Sequence, residues 1–361
     1  MNICIPKERR PNEYRVGLSP VAVEMLCQQG HNCFVEHHAG VGAGFSDREY
    51  EHAGAKIVYS PEEAFGRGDL VVTIARPKLE ELDWVQPGAI LMGFLHLPGA
   101  RQESVDILIS KGITGIAYEQ IEGPEGCFPV LRVSSQIGGL MVAQTAARLL
   151  QNNWGGKGIL LGGVPGVPPA EVVVIGAGTV GTYAAQSLLG MGAHVTVIDI
   201  SLAALQRIAD RCPGVTTMIS IRRNIERALS YADVVVGAVR ITGQQTPMLV
   251  TREMLKLMKS RSILMDVSID DGGCFETSRP TTYENPTFVE EGIVHYCVPN
   301  IPGAVARTAT HALINAAMPF ILEITGKGLD AALEQNPGLE KGVQLYQGQP
   351  RHLSHLTHKG S

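Results

Sequence analysis

The apolar run Val172-Val173-Val174-Ile175 opens directly into Gly176-Ala177-Gly178-Thr179-Val180-Gly181, and a second apolar run, His194-Val195-Thr196-Val197-Ile198, ends on Asp199. No other stretch restricts the fold as tightly. The first glycine permits a sharp strand-to-helix turn, the second lets the backbone approach a pyrophosphate, and the third lets helix and sheet pack closely. Phosphates would sit at a helix N-terminus, where free N–H groups and the dipole favour an anion. Asp199 lies 18 residues beyond Gly181, where a carboxylate accepts hydrogen bonds from both ribose hydroxyls and repels a 2′-phosphate. The pattern predicts a dinucleotide cradle that takes NAD(H) rather than NADP(H).

At 361 residues the chain is long enough for two units, each with its own core. A net charge of −5 supplies no basic footprint for nucleic acid. No apolar run reaches the roughly 18 residues that a membrane span needs. Lys7, Glu8, Arg9 and Arg10 behind one short apolar run are unlike a signal peptide, so a cytoplasmic location is expected. The seven cysteines are scattered, with no close pair at metal-ligand spacing, which predicts buried free thiols in a reducing compartment and no metal site.

Short apolar runs at 3–5, 33–35, 70–74, 90–95 and 113–117 alternate with helical or turn-rich stretches. From Val172 the pattern repeats at 172–175, 194–198, 215–219, 234–239, 262–269 and 293–298. The expected fold is α/β, with two doubly wound domains. Two long helical patterns would join them. One starts at Ser134 or Ser135 as N-cap; the other runs over about 308–325 and carries Pro319, which predicts a kink or break. The expected division is a substrate domain from residues 1–133 and 307–361, with a dinucleotide-binding Rossmann domain, 134–306, inserted into it. The glycine-rich stretch 155–166 reads as a long loop, either a plain connection or a segment at a subunit contact or over the site.

Ligands of open parallel sheets bind beyond the carboxyl ends of the strands, so residues closing the apolar runs are the catalytic candidates. His96 closes the run 89–95, Asp270 closes 263–269, and Arg15 follows the first run. They would converge only if the halves face one another. Reduction of a carbonyl or imine needs a proton donor that works near neutral pH, which suits His96. A 2-oxo acid needs its carboxylate fixed, which suits the planar guanidinium of Arg15. Asp270 would hold an ammonium or water, or else a ribose.

Several segments in order resemble the alanine dehydrogenase and transhydrogenase α-subunit family: Ile5-Pro6-Lys7-Glu8 with Asn12-Glu13 and Arg15-Val16, Phe94-Leu95-His96-Leu97, and Gly162-Gly163-Val164-Pro165-Gly166-Val167. The glycine fingerprint, Asp270-Asp271-Gly272-Gly273-Cys274-Phe275-Glu276 and Asn300-Ile301-Pro302-Gly303-Ala304-Val305 continue it, over about residues 1–340. The resemblance implies a substrate domain built from both chain ends, an inserted NAD domain, a homohexamer, and reversible oxidative deamination of L-alanine to pyruvate and ammonia. It implies that Arg15 binds the substrate carboxylate, that His96 is the acid/base, and that Asp270 acts on water or ammonia. Gly176, Gly178, Gly181 and Asp199 would hold the diphosphate and ribose of NAD, with Ser135, Ser220 and Asn300 as further cofactor contacts.

One departure stands out. The family's substrate-facing lysine aligns with Ala75, in Val72-Thr73-Ile74-Ala75-Arg76-Pro77. Losing such a cation would cost on the order of 2–5 kcal/mol. In a regular strand Arg76 points to the opposite face, and Lys78 lies past Pro77, so only a local bulge would let either replace it. Three readings follow: an alanine dehydrogenase with Arg76 or Lys78 recruited, a related NAD-dependent oxidoreductase for a larger amino or imino acid, or a catalytically silent NAD(H)-binding protein. Retention of Arg15, His96 and Asp270 argues against the third. The tail bearing His352, His355 and His358 reads as a disordered end or a remnant rather than a metal site, and is given no function.

Overall fold

The computed structural model describes residues 1–241 and 245–353. His355 and His358 lie outside the described residues, whereas His352 is paired with Glu340 at 3.1 Å. The chain divides into two compact units, 1–134 with 303–361 and 135–302. Fifteen strands are described. They are β1 (Asn2–Ile5), β2 (Asn32–Glu36), β3 (Lys56–Val58), β4 (Leu70–Ala75), β5 (Ile90–Phe94) and β6 (Thr114–Ala117), then β7 (Glu171–Ile175), β8 (His194–Asp199), β9 (Thr216–Ile219), β10 (Val234–Gly237), β11 (Ile263–Asp266), β12 (Thr287–Glu290) and β13 (Ile293–Tyr296), and last β14 (Val343–Tyr346) and β15 (Gln349–Pro350).

In the first unit the sheet order is β15-β14-β6-β5-β4-β1-β2-β3, in the second β12-β13-β11-β10-β7-β8-β9. Each holds the doubly wound parallel series, with helices on both faces. Alternation along the strands sorts the cores. Ile3, Ile5, Val72 and Ile74 join one cluster with Leu313 and Ile321, while Cys4, Val71 and Leu91 join Phe65 and Leu108 on the other face. Val172 and Val174 likewise part from Val173 and Ile175 in the second unit. This two-sided burial explains why these strands read as unbroken apolar runs.

Four strands at or next to the sheet edges escape the sequence pattern. β3 is only three residues and mostly uncovered, β12 is an antiparallel addition beside β13, and β14–β15 close the first sheet from a segment that had no assigned role. The first long helix is Pro129–Leu149, so Ser134 and Ser135 lie inside it rather than capping it. Pro129 at its start needs no amide partner, which lets the helix begin there. The second, Ala306–Lys327, runs through Pro319 without a break. The chain leaves the first unit inside Pro129–Leu149 and re-enters it in the 3-10 stretch Ile301–Val305. All seven cysteines are free thiols. No described helix is long and apolar enough to cross a membrane.

Candidate active site

The second unit supplies the glycine cradle. Gly176 has φ 111°, and a Cβ on it would lie 2.3 Å from the carbonyl oxygen of Ala238. A Cβ on Gly181 would stand 1.8 Å from the carbonyl of Gly176. The protein's own packing therefore requires these two glycines. Gly178 differs: a Cβ there meets no atom within 4 Å, so no packing contact requires it and the space above it is open. It is also the N-cap of the helix Thr179–Gly190 and gives it no side-chain cap. Open space, amide donors and a helix N-terminus together fit a diphosphate.

Asp199 stands at the end of β8, where its Oδ2 accepts the Ala177 N–H at 2.6 Å and its Oδ1 the Ser201 N–H at 2.8 Å. The carboxylate is thus locked to the cradle's rim, with lone pairs left for a ribose. The Ser220 amide donates to the Asp199 carbonyl at 2.8 Å, which joins Ser220 to the same rim. Ser135 lies two turns into Pro129–Leu149.

Asp270 is not at a strand end, as the sequence suggested. β11 stops at Asp266, and Asp270 sits in the 3-10 turn Ile269–Asp271. The run continues apolar because Val267 and Ile269 pack inward, but the buried carboxylate of Asp266 ends the strand by turning the chain. It accepts from Ser268 N–H, Cys274 N–H at 3.0 Å and Ser278 O–H at 2.6 Å. Burial pushes its carboxyl upward, and these donors oppose the shift. Asp270 in turn accepts the amide of Asn300 at 3.3 Å, so these two predicted residues meet.

The first unit carries the rest. Ser19 caps the helix Pro20–Gln28, and Arg15 lies buried just ahead of it. Glu13 clamps one edge of its guanidinium with both carboxylate oxygens, at 2.7 Å from Nε and 2.5 Å from Nη2. Such a fork fixes the plane in which a carboxylate would be met. Glu8, half-buried, turns its carboxylate inward onto the N–H groups of Ile74, at 2.6 Å, and Ala75, at 3.4 Å. Desolvation, then the Glu13 charge, pushes Glu8 up to about 8, against the opposing N–H bonds and Arg15.

His96 follows β5 in a left-handed conformation, φ 43° and ψ 46°, a strained backbone for histidine. Its amide donates to Glu119 Oε1 at 2.7 Å, and its Nδ1 lies 3.7 Å from the same oxygen. Phe94 stacks on the ring at 6.1 Å. Glu119 is buried, and its Oε2 has no partner among the described residues.

The strand that leads to Arg76 is not regular. Two residues of β4, Thr73 and Ile74, face one of β5, because the register runs from Val72↔Met92 to Ala75↔Phe94. This bulge resets the alternation. Arg76 consequently donates to the carbonyls of Leu95 and His96, at 2.7 and 2.8 Å. Burial and the neighbouring Arg10 push its guanidinium downward. Lys78 is exposed and starts the helix Leu79–Leu82. Contacts thus run from Glu8 through Ala75 and Arg76 to His96 and Glu119, with the Arg15 and Glu13 charges acting on Glu8. Of these, the sequence reading omitted the roles of Glu8, Glu13 and Glu119. Glu13 has a signal: it is two residues from Arg15 and of opposite charge.

Two family profiles tile the chain: Alanine dehydrogenase/PNT, N-terminal domain over residues 4–138, and Alanine dehydrogenase/PNT, C-terminal domain over 142–352. The chain belongs to the alanine dehydrogenase/PNT family. The match to 352 extends the family likeness past residue 340 and takes in β14 and β15. Among similar proteins, the alanine dehydrogenase of Halomonas elongata is 44% identical over 96% of this chain and 94% of its own. That of Methanococcus maripaludis is 43% identical over the same shares. A solved L-alanine dehydrogenase superposes with TM-score 0.93 at 41% identity, covering 98% of this chain and 97% of that one. A transhydrogenase from Sinorhizobium meliloti shares the fold, with TM-score 0.85 at 23% identity over 97% and 100% of the two chains.

Proposed function

We propose that the protein is an NAD-dependent L-alanine dehydrogenase, interconverting L-alanine, NAD⁺ and water with pyruvate, ammonium, NADH and a proton. Near full-length likeness to proteins named alanine dehydrogenase carries this reading. The open face over Gly178, beside two glycines that packing requires, supports a dinucleotide there, and Asp199 supports NAD over NADP. Ser135, Ser220 and Asn300 complete the cofactor contacts in this proposal.

When bound, the nicotinamide ring supplies the acceptor for the hydride that leaves Cα of the amino acid. Arg15, oriented by Glu13, holds the substrate carboxylate. His96 takes up and returns the proton at the reacting nitrogen or oxygen, with Glu119 stabilising the charged imidazole. Asp270 handles the water whose oxygen replaces the amino group, and the Asn300 amide fixes its carboxylate.

The departure at Ala75 is met by Arg76, whose guanidinium places a cation at the His96 backbone. The exposed Leu160, Val164 and Val167, on and beside the turn 162–167, suit a subunit contact, in keeping with a homo-oligomer that the family resemblance makes a hexamer. The free thiols suit a reducing, cytoplasmic compartment.

Loss of NADH absorbance with ammonium and a series of 2-oxo acids tests the reading. Pyruvate is expected to be the fastest. A faster, larger oxo acid would replace alanine as the substrate, and no turnover with any of them would leave a silent binder. In Ala75→Lys, an unchanged rate would show that another cation already serves.

A further inference from the structure

The corner between β2 and the helix Asp47–His52 gathers two imidazoles and a carboxylate that the proposed reaction does not use. We propose that His37, His38 and Asp47 bind one divalent transition-metal ion of the zinc, nickel or copper class.

In an extended strand, neighbouring side chains point to opposite faces. Here they do not. The His37 amide still pairs with the Val58 carbonyl at 2.8 Å, which anchors it beside β3. His38 then adopts φ 64°, and the two rings lie together, centroids 3.5 Å apart and planes 29° from parallel. A left-handed backbone is disfavoured for histidine unless its surroundings impose it. The Asp47 carboxylate imposes it, accepting the His38 amide at 2.9 Å and meeting His37 Nδ1 at 2.5 Å. Asp47 is itself fixed as the first residue of a helix closed by the Ser46–Glu49 capping box. One ligand atom from each of the three residues falls in a group no more than 4.8 Å across.

The donor set selects the metal. Two imidazole nitrogens with one carboxylate oxygen suit zinc-like ions, whereas magnesium and calcium take oxygen donors. Three protein ligands leave a position for water, and the site can be reached, since the His37 side chain is 41% exposed. The site also adjoins the first unit's other polar anchor. Glu36, the residue before His37, accepts the Lys7 amide at 2.9 Å and pairs with Arg9, holding the segment that carries Glu8. An ion here would tie the end of β2 to that helix and raise the unit's melting temperature.

The test uses the full chain, stripped of metal by a chelator and titrated calorimetrically with Zn²⁺, with Co²⁺ spectra as a second readout. A tail variant, His352→Gln with His355→Gln and His358→Gln, removes competing ligands. It should retain one site, give a Co²⁺ visible band of low coordination number, melt higher with Zn²⁺, and ignore Mg²⁺. In that background His38→Asn, chosen because asparagine tolerates the left-handed backbone, and Asp47→Asn should each lower affinity about tenfold or more. Metal-free melting temperatures check the fold of both. Loss of all binding in the tail variant, or equal affinity with and without His38 and Asp47, would overturn the site.

Discussion

Glu8 should make the first unit's stability fall with rising pH, and Glu8→Gln should remove the fall. An isolated glutamate titrates near 4.5, but in the folded protein Glu8 is raised to about 8. Between those values the folded state holds a proton that the unfolded chain has lost. Stability is therefore greatest below about pH 4.5, declines from there to about pH 8, and is flat beyond, because unfolding binds fewer protons. The full shift, at about 1.4 kcal/mol per pH unit, has a ceiling near 5 kcal/mol. Partial exposure of Glu8 and water entry reduce the expected figure to about 2–3 kcal/mol. For a unit of this size that is about 4–12 °C in melting temperature. Glutamine keeps the shape but turns one N–H toward a backbone donor, a constant offset of about 1 kcal/mol. The diagnostic is thus the gap between the two melting curves, measured from pH 5 to 9. It should widen in favour of Glu8→Gln. Parallel curves would show that Glu8 is not held protonated and would refute the reasoning. Ala75→Lys provides a second check, since an ammonium at 75 gives Glu8 a partner and should flatten the wild-type decline.

Other outcomes follow from single contacts. Gly181→Ala forces a Cβ to within 1.8 Å of the Gly176 carbonyl and should cost about 2–3 kcal/mol in a thermal melt. Gly178→Ala, with open space, should melt like wild type but bind NADH about tenfold more weakly by fluorescence titration, as its methyl takes the phosphate's room. Glu119→Gln removes a charge 3.7 Å from His96 Nδ1. The half-exposed ring puts that interaction near 1 kcal/mol, so kcat should fall about fivefold, with KM nearly unchanged and the pH profile displaced.

Both sheets were legible in the sequence because their central strands are buried on both faces, which leaves apolar runs at 172–175 and, broken only by Thr73, at 70–74. β3 and β12 were not, since an edge strand is covered on fewer sides and carries no such run. Asp199, the cradle glycines and His96 could be named because each stands where chain geometry demands it. Asp270 was expected at a strand end but sits in a 3-10 turn, since apolar Val267 and Ile269 disguise a strand that Asp266 has already ended. The contacts of Glu8 and Glu119 with the candidate site were invisible, because their partners lie 66 and 23 positions away.

The bulge in β4 did leave a signal, in the facing strand. Gly93 sits inside the apolar run of β5, where glycine weakens a strand and often marks irregular pairing. A Cβ on Gly93 would stand 2.6 Å from Thr73 Oγ1 and 2.9 Å from the Thr73 carbonyl oxygen. Thr73 is one of the two residues crowded opposite it, and its hydroxyl donates to the Met92 carbonyl at 3.3 Å. Gly93→Ala must therefore push Thr73 away, and Arg76, three residues on, would lose its place on the Leu95 and His96 carbonyls. About 1–3 kcal/mol of stability should be lost, with a fall in kcat larger than Ala75→Gly produces. Adding Thr73→Ala relieves the hydroxyl contact and leaves the backbone one, so it should restore part of both. If Gly93→Ala melts and turns over like wild type, the bulge does not govern Arg76, and the cation at His96 must be held by the Leu95-His96 turn alone.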